Sequence, residues 1–192
     1  MSMKRRFLVG TVTAITAVGG ALLPAGAAHA IDDVTALNRC TAGAATSFTS
    51  PSFAAGGNNN TPFDLPAQMF NNDAFRITAT GSIAINYLGT QKDVGGDPTP
   101  APADWPLRGQ NQYMLIAKVD RGAVITDRGR RFGTNEWFPV GRNSGCFRYV
   151  RPTPVSDDDP TAVLIFSYND PNISDNGGFG NIVVRQWFCT IC

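Results

Sequence analysis

Beyond Pro66 the chain is built of short runs in which apolar and polar residues alternate with period two. Each run is closed by Gly, Pro, Asn or Asp, and no stretch carries the 3.6-residue periodicity of an amphipathic helix. A run of this kind can bury one face of a strand but cannot form a helix with a continuous apolar stripe. The runs lie at 75–79, 82–87, 113–119, 123–126, 137–140, 146–150, 162–168 and 182–188, with Gly81 expected to separate the first two. The segment at 162–168 is almost wholly apolar, as a central strand covered on both faces would be. Short strands with regular turn signals predict an all-β domain over 67–192, an antiparallel, jelly-roll-like β-sandwich.

The first 66 residues read differently. Lys4-Arg5-Arg6 is followed by a mostly apolar stretch to Leu23, and Ala28-His29-Ala30 offers the small-x-small pattern of a signal peptidase site. Residues 1–30 are therefore expected to be a secretory signal peptide, giving a secreted, extracellular chain that begins near Ile31. Thr, Gly and Pro24 interrupt the apolar run too early for a membrane span, so no membrane insertion is expected. From 31 to 66 the chain is rich in Ala, Gly, Ser, Thr and Asn, with Gly56-Gly57-Asn58-Asn59-Asn60 at its centre. That composition predicts a flexible N-terminal arm with at most one strand near 46–53, and Cys40 argues against complete freedom.

Removing the leader also changes which chemistries are open. Without Lys4, Arg5 and Arg6, the 16 basic residues become 13 against 15 acidic ones. No basic surplus remains to neutralise a phosphate backbone, which argues against a nucleic-acid partner. His29 is the only histidine, so cleavage leaves no imidazole for Ser-His-Asp or Cys-His catalysis or for a His-containing zinc site. Glu136 is the only Glu, and no two acidic residues announce the carboxylate pair of a glycoside hydrolase. The expectation is a protein that is not an enzyme.

Cys40, Cys146, Cys189 and Cys192 all lie beyond the leader. In an oxidising compartment four cysteines predict two disulfides with three possible connectivities. If the C-terminal segment is extended, the Cα atoms of Cys189 and Cys192 stand roughly 10 Å apart, too far to bridge. The expected pairing therefore joins Cys189 and Cys192 separately to Cys40 and Cys146. A redox role for Cys189-Thr190-Ile191-Cys192 lacks the helix that would follow an active-site dithiol.

The segment Tyr168-Asn169-Asp170-Pro171-Asn172-Ile173-Ser174-Asp175-Asn176-Gly177-Gly178 concentrates oxygen-bearing side chains in one turn. Ca²⁺ takes six to eight oxygen ligands from carboxylates, amides and backbone carbonyls. Asp170, Asp175 and Asn176 are candidate side-chain ligands, with carbonyls of Asn172 or Ile173 completing part of the shell. An Asx-rich turn whose side chains cap their own backbone accounts for the same residues equally well. The long segment 89–112 is dense in Gly and Pro, and a loop of that length is usually functional or disordered. It carries Trp105, the one tryptophan in a long loop and the candidate stacking platform for a sugar ring.

Together with the upstream runs Ile77-Thr78-Ala79-Thr80-Gly81 and Leu115-Ile116-Ala117-Lys118-Val119, a set of C-terminal motifs carries a resemblance. These are Val140-Gly141, Gly145-Cys146-Phe147-Arg148-Tyr149-Val150, Asn169-Asp170, Asp175-Asn176-Gly177-Gly178 and Ile182-Val183-Val184. In this order they resemble the PA-IL-like family of calcium-dependent, galactose-binding bacterial lectins, most specifically over 140–184. The resemblance implies a small jelly-roll sandwich that holds Ca²⁺ at this loop and binds sugar hydroxyls through the ion. Asp170, Asp175 and Asn176 would be the side-chain ligands, Asp170 would also touch the sugar, and a carbonyl near 69–71 would close the shell. The loop is shorter here than in that family, and Asp175-Asn176 stands where the family has an Asn-Asn pair. The His and Gln with which the family grips its sugar have no counterpart in 89–112.

Two functions follow as expectations. One is a secreted, non-catalytic lectin-like module that binds carbohydrate through Ca²⁺. The other is an adaptor in a secreted multiprotein complex, whose arm 31–66 adds a strand to the sheet edge of another secreted protein.

Overall fold

The computed structural model describes residues 35–63, 69–152 and 162–189. The expected leader at 1–30, the stretches 31–34 and 64–66 of the expected arm, and Cys192 lie outside the described residues. In chain order the elements are a short helix α1 (Thr35–Thr41), then β1 (Phe48–Thr49), β2 (Phe53–Gly56), β3 (Thr61–Phe63), β4 (Ala74–Ala84), β5 (Gln91–Asp93), β6 (Asp97–Pro100) and β7 (Asn111–Gln112). They continue with β8 (Leu115–Val119), β9 (Ala123–Thr126), β10 (Arg131–Phe132), β11 (Phe138–Pro139), β12 (Asn143–Val150), β13 (Leu164–Tyr168) and β14 (Gly177–Trp187).

Every strand pair is antiparallel. Among the described residues the larger sheet runs β1-β14-β4-β12-β9-β10, with β2 also paired to β14 and β5 to β4. The smaller runs β11-β8-β13-β3, and β6 and β7 form a separate hairpin. Alternation decides which residues face inward. On β4 it sends Phe75, Ile77, Ala79 and Ile83 into the core, where Ile182 and Val184 of β14 meet Leu115, Leu164 and Phe166 of the smaller sheet. Rings bridge the two layers: Phe53 meets Phe166 edge-on at 5.6 Å, and Phe138 packs between Phe147 at 4.7 Å and Phe75 at 6.5 Å. The chain is thus an all-β antiparallel sandwich.

Two strand expectations change in detail. Gly81 does not end a strand, because β4 runs through it at φ +100° as the partner of Gly180. A residue with a Cβ would be strained in that conformation, so the glycine allows the bend while the ladder continues. β13 is central in its sheet, with Leu164, Phe166 and Tyr168 buried on one face and Ser167 on the other, where Ile165 alone is partly exposed.

The expected free arm is corrected more deeply. Over 35–63 it is part of the fold: β1 and β2 pair with β14, and β3 pairs with β13. Small residues poor in periodicity can still extend an existing sheet, because the ladder needs backbone amides more than side chains. Seven-residue α1 is too short to stand alone in water. It lies on the outer face of the larger sheet, where Ala36 and Cys40 join Ala74, Cys146 and Trp187 in a second buried cluster. Arg76 Nη2 donates to the Cys40 carbonyl at 2.8 Å, and Trp187 Nε1 donates to the Ala44 carbonyl at 3.0 Å.

The disulfide expectation is corrected as well. Cys40 and Cys146 bond to each other, with Cα atoms 6.0 Å apart. Helix α1 sits directly over β12, so the two sulfurs face one another and neither is left for the C-terminus. Cys189 is itself disulfide-bonded, with a partner other than these two. Its backbone N–H donates to Asp73 at 2.7 Å, and burial pushes the Asp73 carboxyl above its ordinary pKa.

The Cys40–Cys146 bridge closes a sequence separation of 106 residues. In the chain-entropy picture a loop of that size corresponds to an upper value near 5 kcal/mol, and native disulfides typically contribute about 2–5 kcal/mol. Cys40→Ala with Cys146→Ala is therefore expected to lower unfolding free energy in denaturant by about 2–5 kcal/mol. A fall below about 0.5 kcal/mol, the level of ordinary surface changes, would show that packing alone holds α1 in place.

Candidate functional site

The acidic loop joins β13 of the smaller sheet to β14 of the larger, at the end where Gly177 pairs with Ala84. Ile173–Asp175 forms one turn of 3₁₀ helix, which closes when the Asn176 N–H donates to the Ile173 carbonyl at 3.2 Å. Asp170 is buried, and its Oδ1 accepts the Asn172 N–H at 2.9 Å. The Asx-turn reading is therefore realised at that oxygen. Asp175 is half-buried. Asn176 is only 6% exposed, yet neither its Oδ1 nor its Nδ2 has a hydrogen-bond partner. A buried amide without partners costs about 1–3 kcal/mol, so the loop holds two polar atoms that its own backbone does not satisfy.

Asn169, one residue before Asp170, organises the surroundings. It is fully buried, and its Oδ1 accepts the Leu107 N–H at 2.8 Å. Its Nδ2 donates to the carbonyls of Leu107 and Asn111 at 3.1 and 2.9 Å. One amide side chain thus fastens the middle segment to the acidic loop. The segment 89–112 is itself ordered: β5 extends β4, and the β6–β7 hairpin holds the loop 101–110. Within that loop Trp105 meets Tyr113 edge-on, with ring centroids 5.1 Å apart.

Tyr113 links these parts. Its backbone N–H donates to the Asn169 carbonyl at 2.8 Å, and it holds φ at +61°, an uncommon conformation for a residue with a Cβ. Its phenol pKa is raised, first by desolvation, then by the Asp170 charge and, among smaller effects, by Asp97 and Asp175, with Lys92 opposing. Both loop carboxylates therefore act on one phenol. The structure brings Asp170, Asp175, Asn176, Trp105 and Tyr113 to one region. Neither Tyr113 nor Asn169 is marked by residue type for this role, although Asn169 directly precedes Asp170 in the acidic segment.

One implied ligand is corrected. Residues 69–71 lie at the opposite end of the sandwich, where the Asn71 side chain accepts the Arg151 N–H and the Phe70 N–H donates to Asp73. The acidic loop enters β14 at Gly177, whereas this region leads into β4 at Ala74, opposite Trp187. Ten residues of extended strand, roughly 30 Å, separate them, so no carbonyl of 69–71 can close the loop's shell. Among the described residues no three His, Cys, Asp or Glu side chains gather as a metal group. A cation at this loop must therefore draw on amide and backbone oxygens as well as the two carboxylates. No family model matches this chain, and neither does any curated protein.

Two expected outcomes follow from this geometry. Asn169→Leu leaves one N–H and two carbonyls without their partner, so hydrogen exchange over 101–112 should accelerate more than in β4 and β14, with about 1–3 kcal/mol of stability lost. Uniform acceleration throughout the chain would contradict a local clamp. Tyr168, whose hydroxyl donates to the Ala55 carbonyl and accepts the Gly180 N–H, is pushed up to about 12 by burial, with the Gly180 bond opposing. The folded state keeps this phenol protonated. Its stabilising contribution is therefore complete below about pH 10, the unfolded pKa, and is lost as pH rises through about 12. Tyr168→Phe should flatten the fall of stability across that window, measured by denaturant titration at stepped pH.

Proposed function

We propose that the chain is a secreted, non-catalytic, lectin-like module that binds carbohydrate through a Ca²⁺ held by the loop from Asp170 to Asn176. The carrying observation is Asn176, a buried amide with both polar atoms unpartnered in a loop that also carries two carboxylates. Oxygen from an amide is a ligand Ca²⁺ accepts, and two carboxylates balance its charge. The donors that would hold the ion are Asp170, Asp175 and Asn176, with a carbonyl of Asn172 or Ile173. When bound, the ion would supply open coordination positions for vicinal sugar hydroxyls. The residues' own part is separate: Asn169 holds the middle loop in place, and Trp105 and Tyr113 offer aromatic faces to the C–H side of a ring. The Cys40–Cys146 bridge fits an oxidising compartment, and the leader pattern at 1–30 points the same way.

Calorimetric titration with Ca²⁺, paired with thermal melting, tests the ion. Saturable heat and a melting temperature that rises with Ca²⁺ are expected, since a ligand specific to the native state stabilises it. Asn176→Ala should remove that response without destabilising the metal-free protein, because it deletes an unsatisfied buried amide. A glycan array read with and without chelator then tests the sugar. Absence of both heat and a melting shift would overturn the reading.

A second reading, an adaptor within a secreted complex, has a different support. Residues 35–63 are already paired and provide no free strand. The β4–β5 turn, however, projects Tyr87 and Leu88 at 86% and 92% exposure, while the Asn86 side chain holds the turn through the Leu88 and Thr90 N–H groups. A rigid turn with two large apolar side chains in water suits insertion into a partner's pocket.

A further inference from the structure

A cavity of about 540 Å³, within the range of small-molecule sites, opens among the turns that flank β5, β7 and β12. One wall is the turn between β5 and β6, with Asp93 and Gly96; the other is the turn between β11 and β12, with Arg142 and Asn143; Asn111 and Met114 also face the space. Gly96 sits at φ +76°, and a Cβ there would stand 2.4 Å from the Gln112 carbonyl, so only bare backbone lets this wall close up.

The cavity and the ion loop share residues. The Asn111 carbonyl accepts from Asn169 Nδ2 at 2.9 Å, and the Met114 carbonyl accepts the Asn169 N–H at 2.8 Å. Asn169 immediately precedes Asp170, so two lining residues of the cavity are hydrogen-bonded to the residue from which the acidic loop starts. Tyr113, which falls between the lining residues Asn111 and Met114 in the chain, donates its N–H to the Asn169 carbonyl at 2.8 Å and so adds a third tie between the two segments.

The chemistry of the lining is selective. Arg142 uses its Nε to donate to Asp93 Oδ1 at 2.7 Å, and its side chain is 72% exposed, which places the rest of the guanidinium at the rim. Desolvation raises the Asp93 carboxyl, but the bonds from Arg142 and the Gly95 N–H outweigh it and hold the group below the usual range. An ionised acceptor beside a guanidinium donor and two amides suits hydroxyls, which donate and accept together. An acidic ring would meet the Asp93 charge.

We propose that this cavity is a second saccharide subsite, so that the ligand is a neutral oligosaccharide with one ring at the ion loop and the next in the cavity. The proposal rests on the calcium-dependent reading above. Calorimetry with Ca²⁺ present compares monosaccharides of galactose, glucose, mannose and N-acetylglucosamine with their linear tetrasaccharides. The expected result is a tetrasaccharide bound at least about tenfold more tightly than its monosaccharide, the worth of one charge-assisted hydrogen bond. In Arg142→Ala, and in Asp93→Asn as a shape-preserving second variant, that advantage should collapse while thermal melting confirms a folded protein. Equal affinity for the two sugar lengths, or an advantage that survives both variants, would overturn the subsite and leave the ion reading standing. Absence of Ca²⁺-dependent binding for every sugar would remove the ion reading and the subsite with it.

Discussion

The antiparallel ladder between β4 and β14 holds the rest of the molecule in place. It is continuous from Gly177 opposite Ala84 to Trp187 opposite Ala74, and every other recognisable part hangs from one of its ends or faces. Its inner face supplies Phe75, Ile77, Ile83, Ile182 and Val184 to the core. Its outer face, through Ala74 and Trp187, carries α1 and the cluster around Cys40 and Cys146. The ladder also keeps two chemistries apart. Cross-linking and the buried Asp73 carboxyl belong to one end, and the oxygen-rich loop belongs to the other. Because strand register is fixed by which side chains must be buried, a slip of one residue would turn the apolar set outward and move the loop away from Tyr113.

The fold class was legible because burial and alternation are local properties. Phe75, Ile77 and Ala79 announce an inward face without knowledge of any partner, and Phe147 and Tyr149 do the same on β12. What was not legible depended on partners distant in sequence. Residues 48–56 look like a linker because Ala and Gly carry no periodic signal, and they become strands only because β14 offers its edge. Helix α1 is too short to leave a periodic trace, and Cys40 finds Cys146 through a packing arrangement that spacing does not encode. Asp170, Asp175 and Asn176 could be chosen from residue type alone. Asn169 could not be ranked above them, since its importance lies in the carbonyls of Leu107 and Asn111, which belong to another segment. Tyr113 was hidden for the same reason: Trp105 and Asn169, which it touches, belong to other segments of the chain.

An orphaned amide does not by itself mark an ion site, and this protein contains the comparison that shows why. Gln186 is fully buried, with both side-chain polar atoms unpartnered, like Asn176. Its register partners on the neighbouring strands are Phe48 and Phe75, which bring neither charge nor oxygen ligands. Asn176 differs in what its loop places around it. Asp170 and Asp175 contribute two negative charges at the end of the sandwich, in the same loop as the 3₁₀ turn. A cation held there would offset the desolvation cost of the Asn176 carbonyl oxygen and meet two negative charges, whereas at Gln186 it would find only apolar side chains across the ladder. The two amides carry the same local penalty, and the difference in neighbouring charge separates a packing defect from a candidate ligand.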